Sequence, residues 1–377
     1  MSTSCTRPRV VVVGGGVLGV SAAAHLVREG ADVQLVTEGP LASGASGRSL
    51  SWLNSFGNVR SAEYHGLRVA GIDRYRTLAA RLGETRYLRF DGGLTWAPPG
   101  ATDQWRDHHR HMTEIGYDAV WLSPEEVAGW TPGIDSRAIP AEGAIFSPGE
   151  GWVDLPWLIG LLAGRVRDGG GRILENCGRA AVRVEGGRAA GVTTASGERL
   201  DADAVLLATG PAVPEQLQEL GVVVPDGTPV ALLVKTRPVA TDLRAVLNTP
   251  HVSLRPTPDG GLAMDSDAAA EEVVGDERSG YEVKDTTVED LMANATAILA
   301  GHPQLEAEWF GVGRKPIPGD GDPVLGPVEQ VPGLSVAFSH SGATLALISG
   351  ELLAREIVTG VASPLLAPFR PARFLAA

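Results

Sequence analysis

The pattern of apolar and polar residues predicts alternating strands and helices in three parts of the chain. Residues 9–55 begin with a run of four valines that predicts a buried strand, followed by a helix over residues 17–29 and a second strand with the sequence DVQLV. Residues 150–222 predict one helix and then three strands. The C-terminal segment predicts a strand, LSVAFS, and a helix over residues 344–359.

Two other regions, residues 85–149 and 228–312, follow a different pattern. Their strand-like segments, such as YLRFDGGLTWAP and HVSLRPTPDGGLAMDS, are separated by Gly, Pro and Asp turns, which favours antiparallel pairing. We therefore expect an α/β fold with two interleaved domains. Residues 1–84, 150–227 and 313–377 would form a Rossmann-like nucleotide-binding domain. Residues 85–149 and 228–312 would form a second, α+β domain with a largely antiparallel sheet.

Composition and charge argue against several classes of function. The 377 residues carry a formal net charge of -13 with no block of Lys or Arg, and binding to nucleic-acid phosphates draws on clustered positive charge. Cys5 and Cys177 form neither a disulfide framework nor a metal-ligand spacing, and His108, His109 and His111 come without a second ligand cluster. We expect no nucleic-acid partner, no metal, and a reducing cytoplasm as the location.

A mostly apolar run over residues 10–27 resembles a signal peptide or a short membrane span. Three consecutive glycines and His25 interrupt the run, which neither kind of segment favours. A strand, a turn and a helix explain the same residues better. We therefore expect no membrane span.

The motif G-x-G-x-x-G, formed by Gly14, Gly16 and Gly19, follows the first strand and opens the first helix. In this context the first glycine permits a tight turn, the second lets the backbone approach a pyrophosphate, and the third lets helix and strand pack closely. The motif predicts a dinucleotide site. An acidic residue is expected after the second strand to bind the ribose hydroxyls, and both Glu38 and Thr37 are candidates for that position.

Three segments resemble the D-amino-acid-oxidase superfamily of FAD enzymes, in particular its glycine oxidase and sarcosine oxidase type. LASGASGRSLSWLN, over residues 41–54, resembles the loop that wraps the flavin side of FAD. GVTTASGERLDADAVLLATGPAV, over residues 191–213, is similar to the family's strand pair leading to ATG. GRKPIPGDGDPVLGP and GLSVAFSHSGATLALISGELLAREIVTG, within residues 313–360, resemble the family's C-terminal signature.

The resemblance implies FAD as the cofactor. It places FAD against the glycine turn, the end of the second strand, the following loop, the ATG segment and the start of the C-terminal helix: Gly14, Gly16, Val17, Leu18, Thr37, Glu38, Ser43, Ser46, Arg48, Ser49, Ala208, Thr209, Gly210, Gly342, Ala343 and Thr344. The amides at the start of that helix would face the flavin's N1 and C2 oxygen, where negative charge collects on reduction. Some relatives attach the flavin to a cysteine before the C-terminal strand. Because no cysteine follows Cys177, we expect non-covalent FAD.

The resemblance also implies oxidation of the C–N bond of a small amine or amino acid. Hydride passes from the substrate's α carbon to flavin N5, the imine hydrolyses, and O2 reoxidises the flavin to give H2O2. A substrate carboxylate needs a fixed cation. The family commonly has an arginine at the position of Lys315, so a two-point grip would depend on Arg314 or another arginine. Arg60 and Arg255 are weaker candidates, and His340 could polarise the flavin or shape the pocket.

The sequence leaves the substrate and the electron acceptor open. Trp52 and Phe56 are candidates to line an apolar substrate pocket, although such residues also build cores. The overall resemblance and the pair Arg314 and Lys315 favour a glycine-oxidase homologue of the macrolactam-biosynthesis type, which releases a β-amino acid and glyoxylate from an N-carboxymethyl β-amino acid. One alternative is a D-amino-acid dehydrogenase that passes electrons to a quinone or carrier. Another is a non-catalytic FAD-binding subunit. The sequence sets no oligomeric state.

Overall fold

The computed structural model of the chain describes residues 7–56 and 61–375. Its strands are β1 (Arg9–Val13), β2 (Asp32–Val36), β3 (Trp52–Leu53), β4 (Leu88–Arg89), β5 (Gly93–Thr95), β6 (Val120–Leu122), β7 (Ala144–Ser147), β8 (Gly151–Val153), β9 (Arg172–Leu174), β10 (Ala181–Glu185), β11 (Arg188–Thr193), β12 (Arg199–Asp201), β13 (Ala204–Leu207), β14 (Val230–Thr236), β15 (Val246–Asn248), β16 (Ser253–Pro256), β17 (Leu262–Asp265), β18 (Val274–Asp276), β19 (Gly280–Glu282), β20 (Ala307–Arg314), β21 (Val324–Pro327) and β22 (Leu334–Phe338). Its helices are α1 (Val17–Arg28), α2 (Ala62–Leu82), α3 (Thr102–Glu114), α4 (Pro124–Trp130), α5 (Leu155–Asp168), α6 (Val213–Gln218), α7 (Asp267–Glu271), α8 (Asp285–Ile298) and α9 (Gly342–Thr359).

A six-stranded sheet in the order β21, β22, β13, β1, β2, β9 forms the centre of the first layer. Its strands run parallel, except that β21 is antiparallel to β22. Val10 and Val12 of β1 pack on one face in a core with α1, α5 and α9. Val11 and Val13 pack on the other face in a core with the sheet β10, β11, β12. Because both faces are covered, β1 is apolar along its whole buried length.

An eight-stranded sheet in the order β20, β14, β17, β16, β15, β5, β7, β6 forms the second layer. Neighbouring strands are antiparallel, except that β5 is parallel to β15. Its core residues, among them Leu94, Phe146 and Met264, pack with Leu291 of α8. The predicted α/β fold with a second, largely antiparallel sheet is therefore confirmed.

The eight-stranded sheet takes its strands from residues 93–147 and 230–314. β4 also comes from the region assigned to the second domain, but it pairs with β8, which pairs in turn with β3. The domain limits stay a prediction. Among the described helices, none is long and apolar enough to cross a membrane.

The parallel strands β1, β2, β13 and β22 end at one edge of the six-stranded sheet. The segments that follow them are the glycine turn, the loop before β3, the ATG segment and the start of α9. In open α/β sheets, ligands bind at this edge because several loops converge there. The sequence segments with family resemblance therefore meet at one place.

Candidate active site

The glycine turn after β1 has no room for side chains. Gly14 has a φ of 124°, and a Cβ there would lie 2.2 Å from the carbonyl oxygen of Ala208. A Cβ on Gly19 would lie 2.1 Å from the carbonyl oxygen of Gly14. The first glycine thus permits the turn, and the third lets α1 pack directly against it, as this kind of site requires.

The first turn of α1 presents backbone amides at this edge. The residue before the helix, Gly16, has no side chain to cap them, and only the hydroxyl of Ser46 accepts a hydrogen bond from Val17 N, at 3.0 Å. Helix N-termini attract anions because their free N–H groups and the helix dipole both favour negative charge. The turn therefore suits a pyrophosphate.

One continuous cavity of about 1090 Å³ runs from the glycine turn to the eight-stranded sheet. The sequence-predicted cofactor residues all line it: Gly14, Gly16, Val17, Leu18, Thr37, Glu38, Ser43, Ser46, Arg48, Ser49, Ala208, Thr209, Gly210, Gly342, Ala343 and Thr344. Its volume slightly exceeds the usual upper limit of drug-sized pockets, which is about 1,000 Å³. The glycine turn, two helix N-termini and an elongated cavity fit FAD.

Thr37 and Glu38, the two ribose candidates, are placed differently. Thr37 is buried, and its hydroxyl would lie 2.6 Å from a Cβ on Gly15. Glu38 is exposed at the cavity wall. The carboxylate of Glu38 is thus the freer of the two to meet a ligand.

The loop before β3 is held against the second layer by arginines. Nη1 of Arg48 donates to the carbonyl oxygen of Ser43 at 2.6 Å. Its Cδ lies 3.3 Å from where a Cβ on Gly311 or Gly313 of β20 would be. These glycines leave space for Arg48 beside the sheet.

Arg255, a sequence candidate for substrate binding, lies under this loop and does not line the cavity. It is buried on β16, where Nε donates to the carbonyl oxygen of Leu50 and Nη1 donates to that of Pro256 at 2.8 Å. Its guanidinium lies 4.7 Å from the ring centroid of Trp152. Burial lowers the pKa of Arg255 to about 10. Its hydrogen bonds support the loop, and its side chain is not part of the cavity wall.

Arg68 of α2 is a buried cation that lines the cavity and that the sequence analysis missed. Nε and Nη2 donate to the backbone and side-chain oxygens of Asn54, at 3.0 and 2.5 Å. Nη1 donates to the hydroxyl of Tyr64 at 3.2 Å and to that of Ser341, just before α9. Arg68 therefore ties the loop segment to the start of α9 through neutral partners.

The sequence contains a pattern that could have marked Arg68 as a candidate functional residue. The buried residues of α2 recur at helical spacing and include Tyr64, Leu67, Ile72 and Tyr75. Arg68 lies within this apolar stripe. A charged residue in such a stripe is rarely buried unless it has specific partners, so it marks a position to examine.

Of the aromatic candidates, Trp52 lines the cavity and Phe56 does not. The amide of Phe56 donates to the buried carboxylate of Glu150 at 3.1 Å. Its ring packs instead against Met112 and Ile145 in a separate small core. Phe56 thus belongs to the core because its backbone is anchored behind β3. The remaining candidate, Arg60, lies outside the described residues.

The three proposed catalytic residues all line the cavity, Arg314 and Lys315 at the eight-stranded sheet and His340 just before α9. Arg314, at the end of β20, donates from Nη2 to Asp226 Oδ2 at 3.0 Å, and Nη1 lies 4.0 Å from Glu277 Oε2. Lys315 follows, and its amide is fixed by the carbonyl oxygen of Pro229 at 2.8 Å. His340 is half-buried and precedes α9. Arg314 is already partly neutralised, which leaves Lys315 as the better carboxylate ligand.

Asp265, at the end of β17, is a second cavity residue that the sequence analysis missed. Burial raises the pKa of its carboxyl to about 6, Lys315 opposes that rise, and Asp267 adds to it. An acidic residue within the alternating segment GGLAMDS was visible in the sequence. The strand register that directs its side chain into the cavity could not be read from the sequence.

No cluster of His, Cys, Asp or Glu among the described residues could hold a metal ion. His108 and His109 instead contact the carbonyl oxygens of Phe56 and Ala119, at 2.7 and 3.0 Å. These histidines of α3 are therefore occupied with backbone contacts.

Comparison with known proteins gives matches over nearly the whole chain. The sequence model of a family described as FAD dependent oxidoreductase (DAO) matches residues 9–356. The glycine oxidase of Pseudomonas aeruginosa is 29% identical over 389 residues, covering 97% of this chain and 98% of that protein. The glycine oxidase structure from Geobacillus kaustophilus has a TM-score of 0.81 at 23% identity and covers 97% of this chain and 99% of that one. The iminodiacetate oxidase structure from Chelativorans sp. BNC1 has a TM-score of 0.80 at 22% identity and covers 96% and 99%.

Proposed function

Because the chain belongs to the FAD dependent oxidoreductase (DAO) family, we propose that it is an oxidase acting on the C–N bond of an amino acid or N-substituted glycine. The observation that carries this proposal is the single cavity of about 1090 Å³, which joins the glycine turn at one end to Lys315 at the other. A cofactor along the first part faces a substrate held at the second.

The chain's own residues can hold FAD without a covalent bond. The free amides of the first turn of α1 bind the pyrophosphate, and Glu38 binds the ribose hydroxyls. Gly342, Ala343 and Thr344, at the N-terminus of α9, present amides to the flavin edge that gains negative charge. FAD held there would supply the acceptor for the substrate's hydride, and O2 would be the oxidant that regenerates it with release of H2O2.

The proposed substrate is an N-carboxymethyl β-amino acid. Lys315 binds one carboxylate, and Arg314 lies next to it with guanidinium N–H groups beyond the one that Asp226 accepts. Loss of hydride from the carboxymethyl carbon gives an imine, and its hydrolysis releases the free β-amino acid and glyoxylate. Iminodiacetate, named in the oxidase with the same fold, is itself an N-carboxymethyl amino acid.

Anaerobic titration of the FAD-loaded protein tests this function. N-carboxymethyl-β-alanine, sarcosine, glycine and several D-amino acids would each be added while the yellow flavin absorbance is followed. We expect rapid bleaching by the N-carboxymethyl compound, glyoxylate in the product, and rapid recovery of absorbance with H2O2 formation when air is admitted. Bleaching by D-amino acids alone, with slow recovery in air, would instead identify a dehydrogenase.

A further inference from the structure

Asp265 ends β17, between β14 and β16 of the eight-stranded sheet, and lines the substrate end of the cavity. Ser253 of β16 lies opposite it in the strand register. The ladder between β17 and β14 ends one residue earlier, at Met264, so the pairing with β16 fixes the position of Asp265. Asp265 is therefore a rigidly placed carboxylate at the place where the proposed substrate binds.

Two charged groups act on Asp265 from the elements packed around it. Lys315 approaches from the end of β20, and Asp267 from the start of α7. β16 contributes the uncharged hydroxyl of Ser253, which donates to Oδ1 of Asn248 at 2.8 Å. Within the described parts of the chain, no lysine or arginine nitrogen lies within 4.0 Å of the Asp265 carboxylate. Lys315 and Asp265 thus line one cavity end without forming a direct ion pair.

An anion and a cation that line the same cavity without pairing directly match a zwitterion. The substrate carboxylate would bind Lys315, and the substrate ammonium would then lie toward Asp265. The ammonium must lose a proton before oxidation, because the nitrogen lone pair forms the C=N bond as hydride leaves the α carbon. On the basis of the proposed function, we propose that Asp265 is the base that accepts this proton.

The step balances within the proposed reaction. The substrate N–H bond breaks, the proton passes to an Asp265 carboxylate oxygen, and the electron pair stays on nitrogen. That pair forms the C=N bond when hydride transfers to FAD, and Asp265 later returns its proton to water. Burial raises the pKa of Asp265 to about 6, so it is ionised at neutral pH yet close enough to neutrality for efficient proton transfer.

The test is the pH dependence of kcat/KM for Asp265→Asn, Asp265→Glu and the wild type. The amine that bleaches the wild-type flavin fastest serves as the substrate, whichever class it belongs to. The wild type should lose activity below a pKa of about 6. Asp265→Asn should be roughly 100-fold slower at pH 7, with a deficit that shrinks by about tenfold per pH unit as the free amine forms in solution. Asp265→Glu should regain part of the rate at neutral pH.

Asp267→Asn provides the matched charge control, because it removes a nearby carboxylate at an exposed position. It should keep a loss of activity at acid pH, shifted somewhat below pH 6 because the Asp267 charge raises the pKa of Asp265. Acetate, a carboxylate without an amine, should still perturb the flavin spectrum of Asp265→Asn, which shows an intact site. An Asp265→Asn profile parallel to that of the wild type would overturn the role of Asp265 alone. A wild-type flavin that no amine bleaches would contradict the proposed function as well.

Discussion

At the residue scale, the positions that the sequence revealed and those that it hid differ in how far their partners lie along the chain. Gly19 packs against Gly14 of the same turn, so spacing alone predicted its place. Arg68 faces the cavity because Asn54 and Ser341, 14 and 273 positions away, are brought to it. No local pattern encodes such a meeting of distant segments.

Removing Arg68 should weaken FAD binding, because its hydrogen bonds join the loop and the start of α9. Arg68→Gln should cost about 2 kcal/mol of binding free energy, or roughly 30-fold in Kd. Fluorescence titration of apoprotein with FAD measures this change. Arg81→Gln, at an exposed position of the same helix, is the control and should bind FAD like the wild type. Equal FAD affinities in the two variants would rule out the tethering role of Arg68.

At the element scale, the sequence located α1, α5 and α9 because their ends are local, but it did not predict α2. The helix predicted over residues 17–29 is α1 (Val17–Arg28), and the one predicted over residues 344–359 is α9, which begins two residues earlier. Strand pairing was less predictable. The parallel pair of β5 and β15 joins segments about 150 residues apart within an otherwise antiparallel sheet.

Two glycine substitutions should have opposite effects on stability. Gly19→Ala puts a methyl group 2.1 Å from the carbonyl oxygen of Gly14, so α1 must move away from β1. The cost should be about 1–3 kcal/mol, together with loss of FAD binding. Gly160→Ala, at an exposed position of α5 with nothing within 4 Å, should stabilise the protein by about 0.5–1 kcal/mol. Urea unfolding of both variants measures these changes in the free energy of unfolding. A Gly19→Ala protein as stable as the wild type would contradict the packing of α1 against the glycine turn.

At the scale of the whole molecule, the change of hydrophobic period along the chain predicted two sheet types that alternate in sequence. It did not predict how the two layers are joined. Arg255 forms one of the contacts between the layers. From β16 it donates to the carbonyl oxygen of Leu50, and its guanidinium lies over the ring of Trp152. Its position follows from the packing of one layer on the other, which sequence spacing does not reveal.

Arg255→Met should weaken this contact between the two layers. The carbonyl oxygen of Leu50, a half-buried residue, would lose this donor, so the free energy of unfolding should fall by about 1–3 kcal/mol. Because Leu50 lies in the proposed cofactor loop, added FAD should also raise the melting temperature less than in the wild type. Thermal unfolding with and without FAD measures both effects. Arg237→Met, at an exposed site, should leave both unchanged. If Arg255→Met and Arg237→Met changed stability and the FAD response equally, Arg255 would not stabilise the contact between the layers.

The most direct measurement is the concentration dependence of anaerobic flavin bleaching by N-carboxymethyl-β-alanine, compared between the wild type and Lys315→Met. Lys284→Met, which changes an exposed lysine that does not line the cavity, is the matched control. If FAD and substrate share the cavity and Lys315 binds the carboxylate, Lys315→Met should need roughly 100-fold more substrate for half-maximal rate. Lys284→Met should behave like the wild type. Equal half-saturation in all three proteins, or no bleaching in the wild type, would contradict the account.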